Sequence, residues 1–201
     1  MGPAPHASGG GREPRGSNRR DPAADGRRAR VHVRIDRRRR HLEAAALTWA
    51  RATAARDGET EVAPVEVARQ RLEAVLDASP ASVLLVALDG GGRVLGFACT
   101  APLANGKPGS EIAELRYLGV EPSEWGRGIG TALLAGCAAT LRAAGCSGAV
   151  LQVYADNAAA IGLYRTMGWR PIGPAHPHSS TGRMLQDHAL DLGPPRPAPP
   201  A

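Results

Sequence analysis

The stretch that decides the fold is Trp125-Gly126-Arg127-Gly128-Ile129-Gly130, in which glycine occupies every second position. It follows a strand-like run that ends at Val120 and precedes a helix-like run from Thr131 to Leu141. Glycine lets a backbone approach a ligand closely, and the unpaired N–H groups at the start of a helix attract anions. The stretch therefore predicts a phosphate-binding turn between a strand and a helix.

Two familiar phosphate-binding patterns do not fit this turn. A P-loop ends in Gly-Lys-Ser/Thr, and the only lysine of the chain, Lys107, lies outside any such frame. A dinucleotide fingerprint needs G-x-G-x-x-G, but Thr131 stands where the last glycine should be. The spacing therefore argues against both classes of nucleotide-binding protein.

A second motif lies downstream of the turn. An apolar strand, Val150–Tyr154, is followed by a helix of small residues that begins near Asn157 and ends before Gly168. Asn is a favoured residue at the start of a helix, and Gly is favoured just past its end. Ile161 and Tyr164 are three positions apart, so they share one face of this predicted helix.

The two motifs, in this order, resemble the GNAT superfamily of N-acetyltransferases. The family pattern Arg/Gln-x-x-Gly-x-Gly/Ala is met by its glycines, whereas Trp125 replaces the usual Arg or Gln. The resemblance covers residues 31–192, most firmly 111–174, and implies that the turn holds the pyrophosphate of acetyl-CoA. The phosphate-facing positions that it implies are Gly126, Arg127, Gly128, Ile129, Gly130 and Thr131. A tight strand–helix connection without a ligand is the alternative.

The resemblance also implies a general acid, a general base and three contacts with the cofactor arm. Tyr164 would protonate the leaving thiolate, or else pack its ring and hydrogen-bond locally. Glu114 would accept the proton of the acceptor ammonium, or else form a salt bridge or a solvated strand end. Asn157 would contact the cofactor arm, or only cap its helix. The backbone of Leu118 and Val120 would pair with the pantetheine arm.

Regular strand alternation assigns the side chains around Glu114 to two faces. One face carries Glu114, Arg116, Leu118 and Val120, and the other carries Leu115, Tyr117 and Gly119. Glu121 is predicted to be a solvated turn residue. His176 and His178 are predicted to lie in a solvent loop from Gly173 to Arg183 and not to bind metal. Cys99 and Cys137 are predicted to be small core residues.

The remaining pattern is mixed α/β. It predicts strands at Val31–Ile35, Val83–Leu88, Arg93–Thr100 and Met184–Leu192, and helices at His41–Arg56 and Pro64–Asp77. With the two motifs, this gives a single GNAT-like domain over residues 31–192. Its mixed central sheet would have about six to seven strands flanked by about four helices. Residues 1–30, which are rich in Arg, Gly and Pro, are predicted to be a disordered tail. Residues 193–201, which are rich in Pro, are predicted to be a second disordered tail.

The positive charge of the chain is local. The net charge of the 201 residues is +6, but residues 1–40 carry +8 and residues 41–201 carry −2. The run Arg37 to Arg40 would suit nucleic acid, although a solvated charge run is the commoner situation. No apolar run is long enough to span a membrane, and no signal-peptide core is present. Three cysteines without a pairing pattern favour a reducing, cytoplasmic setting.

The sequence thus predicts an N-acetyltransferase that moves an acetyl group from acetyl-CoA to a primary amine of a small molecule or peptide. Transfer would be direct, in a ternary complex, without a metal ion. The alternative is a non-catalytic acyl-CoA sensor, or a module tethered to nucleic acid by its basic tail. By resemblance, residues near Trp49, 57–61 and 178–181 shape the acceptor pocket. The acceptor, the acyl length and a homodimeric state are left open.

Overall fold

The computed structural model describes residues 31–103 and 111–194, which build one mixed sheet with helices on both faces. The predicted fold class, with six to seven strands and about four helices, is confirmed in this part of the chain. The strands are β1 (His32–Ile35), β2 (Val83–Leu88), β3 (Val94–Pro102), β4 (Ile112–Val120), β5 (Gly148–Tyr154), β6 (Arg170–Pro177) and β7 (Met184–Asp191). The helices are α1 (Leu42–Asp57), α2 (Val65–Ala78), α3 (Ile129–Ala143) and α4 (Ala158–Thr166), with a short 3-10 helix at Pro122–Glu124.

The strands are ordered β1-β2-β3-β4-β5-β7-β6 across the sheet. The β4–β5 pair is parallel, whereas the other neighbouring pairs are antiparallel. Parallel neighbours need a crossover connection, and α3 provides it between β4 and β5. The central strands β2 and β3 are nearly continuous runs of apolar residues because helices cover both of their faces.

The core has two layers, one on each face of the sheet. The layer under α3 and α4 contains Leu133, Cys137, Leu151 and Tyr164, and the layer under α1 and α2 contains Leu72, Phe97 and Cys99. Burying one side chain of leucine size stabilises the fold by about 1.5–3 kcal/mol. The prediction that Cys99 and Cys137 are small core residues is confirmed by their burial.

Strand β4 contains one residue more than its partner β3 requires. Cys99 pairs with Tyr117, but the next residue, Thr100, pairs with Leu115. Arg116 is therefore the extra residue of a β-bulge, which interrupts the alternation of side chains along the strand.

The bulge makes the predicted assignment of faces wrong. Leu115 packs in the same layer as Leu118 and Val120, under α3 and α4. Glu114 lies opposite Ala101, which packs in the other layer, and directly paired residues point to the same face. Glu114 is thus on the α1 and α2 side of the sheet, away from Leu118 and Val120.

Strands β4 and β5 diverge after a short paired segment. Residues 112–115 of β4 pair with residues 148–151 of β5, and the described pairing ends there. Among residues 31–103 and 111–194, the second half of β4 continues to Val120 with no partner strand on its β5 side. A gap between the strands therefore opens just beyond the bulge.

Three expectations about loops and ends have different outcomes. The loop predicted over Gly173–Arg183 is wrong in its first part, because β6 continues to Pro177 and pairs with β7 there. Residues 1–30 and 195–201 of the predicted tails lie outside the described residues. No described helix has both the length and the apolar composition needed to cross a bilayer.

Candidate active site

The glycine-rich turn joins β4 to α3 through two left-handed residues. Gly126 has a φ of 76° and Gly128 a φ of 81°, values that glycine adopts at little cost. Trp125 Nε1 donates a hydrogen bond of 2.8 Å to the Val120 carbonyl. The residue that replaces the family's Arg or Gln thus ties the turn to the end of β4, while 49% of Trp125 stays exposed.

The amides at the start of α3 are not used in the hydrogen bonds of the helix. The first helical hydrogen bond runs from the Ala132 amide to the Gly128 carbonyl at 3.0 Å. Within the described chain, the N–H groups of Ile129, Gly130 and Thr131 have no acceptor, and no side chain caps the helix. These donors and the helix dipole together favour a bound anion such as a phosphate.

Two predicted phosphate-facing residues have structural tasks in this turn. The Arg127 guanidinium donates to Glu124 Oε2 at 2.6 Å, and its amide donates to the Glu124 carbonyl at 3.4 Å. Glu124 is buried and also accepts a 2.9 Å bond from Arg93. A Cβ atom at Gly130 would lie 2.8 Å from Leu163 of α4. Arg127 therefore braces the turn, and Gly130 allows α3 to pack on α4.

Backbone groups of β4 face the gap beside β5. The Glu121 amide donates to the Leu95 carbonyl at 2.9 Å, which makes Gly96 and Val120 a pair without mutual hydrogen bonds. The N–H and C=O groups of Val120 consequently point away from β3. Leu118 is two residues earlier and beyond the bulge, so its N–H and C=O point the same way.

Tyr164 lies on α4 beneath the sheet and is 7% exposed. Its ring packs against Trp169 and His188, with centroids 6.1 and 6.4 Å away. Burial raises the pKa of the Tyr164 hydroxyl well above its usual value, so the group stays protonated at neutral pH. No hydrogen bond joins this hydroxyl to another described residue, which argues against the predicted alternative of a local hydrogen bond.

Asn157 acts as the cap of α4. Its side-chain oxygen accepts a hydrogen bond of 3.1 Å from the Ala160 amide. This satisfies one of the unpaired donors at the start of the helix. The capping role that the sequence offered is therefore present, and a contact with the cofactor arm stays a prediction.

Glu114 opens into a groove on the α1 and α2 side of the sheet. Its carboxylate accepts bonds of 2.8 and 3.0 Å from Arg116 Nη1, so the predicted salt-bridge alternative is also present. The groove has a volume of about 380 Å³, and Gln152 and Asp187 contribute to its walls. The carboxylate thus belongs to a small cavity of mixed polarity beside the point where β4 and β5 diverge.

Sequence analysis missed a polar cluster next to this carboxylate. Asp187 accepts a 2.9 Å bond from Gln152 and lies 3.3 Å from His176 Nε2. His176 is on β6 and not in the predicted solvent loop. Gln152 is a polar residue inside the largely apolar strand β5, and that irregularity was the available signal for the cluster.

The loops expected to shape the acceptor pocket are tied to each other by ion pairs. Arg56 and then Arg183 hold the pKa of Asp57 below its usual value. Arg183 also bonds Asp156 at 2.9 Å and lies 3.9 Å from the Tyr154 ring centroid. The Asp57 carboxylate is therefore already paired with two guanidinium groups.

Helix α1 is also joined to the end of β4. Glu121 accepts a 3.2 Å bond from Arg51, so the prediction of a solvated turn residue is wrong. The ring of Trp49 packs on that of Tyr117 at 4.1 Å between centroids. Burial raises the pKa of the Tyr117 hydroxyl. These contacts fix α1 over the same face of the sheet as Glu114.

A splayed mixed sheet with a glycine-rich turn beside the gap defines a class of acetyltransferase folds. A family model described as the Acetyltransferase (GNAT) family matches residues 46–169, which is more than half of the chain. The chain therefore belongs to the GNAT acetyltransferase family, and the resemblance noted from its motifs is confirmed.

One curated relative is the mycothiol acetyltransferase of Pseudarthrobacter chlorophenolicus, which is 39% identical over 90 residues. The match covers 45% of this chain but only 28% of that protein. A GCN5-related N-acetyltransferase from Kribbella flavida has a TM-score of 0.62 at 25% identity, over 80% of this chain and 97% of that one. The Salmonella typhimurium protein yncA, solved with acetyl-CoA, has a TM-score of 0.60 at 21% identity, over 85% and 98%.

Proposed function

We propose that the chain is an N-acetyltransferase that moves an acetyl group from acetyl-CoA to a primary amine. The observation that carries this proposal is the gap between β4 and β5, which opens beside the unpaired amides of α3. Acetyl-CoA is a long molecule. It carries a diphosphate in one part and a thioester at the far end of its pantetheine arm. An anion-binding turn that leads into an open gap between strands suits both parts.

Each part of the chain would have a separate task in binding. The amides of Ile129, Gly130 and Thr131 would hold the diphosphate, with Gly126 and Gly128 shaping the turn. The gap-facing backbone of Leu118 and the N–H of Val120, whose C=O already accepts a bond from Trp125, would pair with the amide groups of the pantetheine arm. The Leu118 N–H would also polarise the thioester carbonyl. Asn157 at the start of α4 would contact the arm.

The thioester supplies the acetyl group, and two side chains would move the protons. Glu114 accepts a proton from the acceptor ammonium, which frees a nitrogen lone pair for attack. The N–C bond forms as the C–S bond breaks, and the Tyr164 hydroxyl gives its proton to the departing sulfur. The nitrogen loses its second proton as the amide forms, and that proton replaces the one that Tyr164 gave. No covalent enzyme intermediate is needed.

We also infer a cytoplasmic setting. It is supported by Cys99 and Cys137, which are buried thiols outside any disulfide, as thiols commonly are in a reducing compartment. Curated relatives carry the name mycothiol acetyltransferase. The match covers a small share of their length, so a small-molecule amine is our proposal for the acceptor class here and not a property transferred from them.

The binding step is tested by titrating the chain with acetyl-CoA in a calorimeter. Gly128→Asp should abolish binding, because the space around a Cβ atom there is open and a carboxylate would meet the diphosphate. Gly92→Asp is the matched control, since Gly92 also has a left-handed φ, of 83°, and a Cβ there also meets no atom within 4 Å, but it lies in the β2–β3 turn. A folded Gly128→Asp variant that binds as well as the parent would refute the assignment of the turn.

The catalytic step is tested by measuring thiol release with a panel of amines. Glu114→Gln should lower turnover by about 10²–10⁴-fold, the usual contribution of a general base, while acetyl-CoA still binds. Binding without turnover for every amine would support the acyl-CoA sensor. If deletion of residues 1–30 abolished binding to nucleic acid while acetyl-CoA still bound, the result would support the tail-tethered module.

A further inference from the structure

The groove beside Glu114 has a mixed lining on the α1 and α2 side of the sheet. Its volume of about 380 Å³ is near the lower end of the range for small-molecule sites. Polar and apolar side chains share its walls, namely Glu114, Arg116, Gln152, Asp187, Leu103 and Ile172. A cavity of this size suits a small acceptor and not the surface of a folded protein.

Arg116 places a positive charge directly beside the proposed base. Its Nη1 atom makes both bonds to Glu114, and its Nε and Nη2 atoms bond no other described residue. The Arg116 side chain is 45% exposed, so its free edge can reach a ligand in the groove. A guanidinium edge binds a carboxylate through two parallel hydrogen bonds. The site thus offers one group for an ammonium and an adjacent group for a carboxylate.

The groove has apolar surface at its two ends and one negative charge near the second end. Leu103, which is 45% exposed, follows β3 on one side of Glu114, and Ile172, which is 44% exposed, lies on β6 at the other side. Asp187 on β7 lies between Ile172 and Glu114 and is bonded to Gln152 at 2.9 Å. An apolar ligand group would cover one of the two exposed side chains, whereas an acidic group directed toward β6 would be repelled by Asp187.

We propose that this groove binds a free α-amino acid with an apolar side chain as the acetyl acceptor. An α-amino acid carries its ammonium and carboxylate on one carbon, which matches the adjacent Glu114 and Arg116. Arg116 holds the α-carboxylate, Glu114 takes the proton of the α-ammonium, and Asp187 excludes acidic side chains. This inference rests on the proposed acetyl transfer and names the substrate class of the same site.

The first test compares leucine with 3-methylbutylamine, which has the same skeleton without the carboxylate. In the parent, kcat/KM for leucine should exceed that for the amine by about ten- to a hundredfold, the worth of one or two charge-assisted hydrogen bonds. Arg116→Met should lower both values, because Glu114 loses its partner, but should bring their ratio close to one. Arg116→Lys, which keeps the charge without the fork, should give an intermediate ratio. Arg38→Gln, an exposed position outside the groove, is the control and should keep the parent ratio.

The second test uses Asp187 and an acidic amino acid. Glutamate should be a poor acceptor for the parent relative to leucine. Asp187→Asn should improve glutamate relative to leucine by about tenfold, because like charges no longer face each other in a partly desolvated groove. An unchanged ratio would overturn the role given to Asp187.

The outcomes separate this inference from the proposed function. Equal kcat/KM for leucine and 3-methylbutylamine in the parent would overturn amino-acid recognition, while acetyl transfer to both would support the enzyme. Acetylation of other amines but of no amino acid would also overturn amino-acid recognition and support the enzyme. Failure to bind acetyl-CoA would overturn both proposals. Melting temperatures of the Arg116 variants close to the parent would show that the ratios report the groove and not unfolding.

Discussion

Replacing Tyr164 with Phe removes one oxygen atom from a buried ring and little else. The ring is 7% exposed and keeps its packing against Trp169 and His188. Since no described residue hydrogen-bonds the hydroxyl, we expect the free energy of unfolding at pH 8 to change by less than about 0.5 kcal/mol. If the hydroxyl protonates the departing sulfur, kcat should fall by about 10²–10⁴-fold with unchanged acetyl-CoA affinity.

The raised pKa of Tyr164 adds a second, independent measurement. Burial keeps this tyrosine neutral in the folded chain, whereas in the unfolded chain it ionises near pH 10. Above that pH the unfolded state binds fewer protons, so stability falls by about 1.4 kcal/mol per pH unit for this group. At pH 11 the parent should therefore have lost about 1.4 kcal/mol that Tyr164→Phe retains.

The assay is urea unfolding of both proteins at pH 8 and pH 11, together with a pH profile of kcat for the parent. Tyr164 should contribute no alkaline fall in kcat below about pH 10, because its hydroxyl remains protonated. Parent-like turnover by Tyr164→Phe would refute the acid role. A clear loss of stability at pH 8 would show instead that the hydroxyl has a structural partner.

Two further substitutions test the packing and the turn. Gly119→Ala would bring a Cβ atom to 2.5 Å from the buried Phe97 ring and should cost about 1–3 kcal/mol, seen as a lower melting temperature. Its control is Gly162→Ala in α4, where a Cβ atom meets nothing within 4 Å. This variant should stabilise the chain by about 0.5–1 kcal/mol. Equal shifts in the melting temperatures of the two variants would contradict this account. Trp125→Phe removes the 2.8 Å bond to the Val120 carbonyl and should weaken acetyl-CoA binding by about two- to tenfold, the value of one hydrogen bond. Calorimetric affinities equal to the parent's would show that this bond does not shape the turn.

The sequence predicted the elements whose signals are local. The glycine turn and the capped helix at Asn157 each depend on a few neighbouring residues with known conformational preferences. The position of Tyr164 on its helix followed from the same short-range pattern. The family resemblance then supplied the fold class, a single domain with a mixed central sheet, which local preferences do not determine.

The errors arose where distant strands decide the outcome. Nothing in the residues around Arg116 distinguishes a bulge from a regular strand, because the extra residue is defined only by its pairing with β3. His176 lies near Pro171, Gly173 and Pro174, which indicate a turn in isolation. Prolines are tolerated there because β6 is at the edge of the sheet. The polar cluster around Asp187 was missed because its members lie on different strands, which come together only when those strands pair.

The extra residue of β4 has one more consequence. Deleting Arg116, as opposed to replacing it, would join Leu115 directly to Tyr117 and restore an unbroken pleat with every apolar group still in its own layer. The shortened strand would then pair with β5 along its full length, and the gap proposed to hold acetyl-CoA would close. Deleting this one residue of β4 would then leave a protein that folds but does not catalyse acetyl transfer.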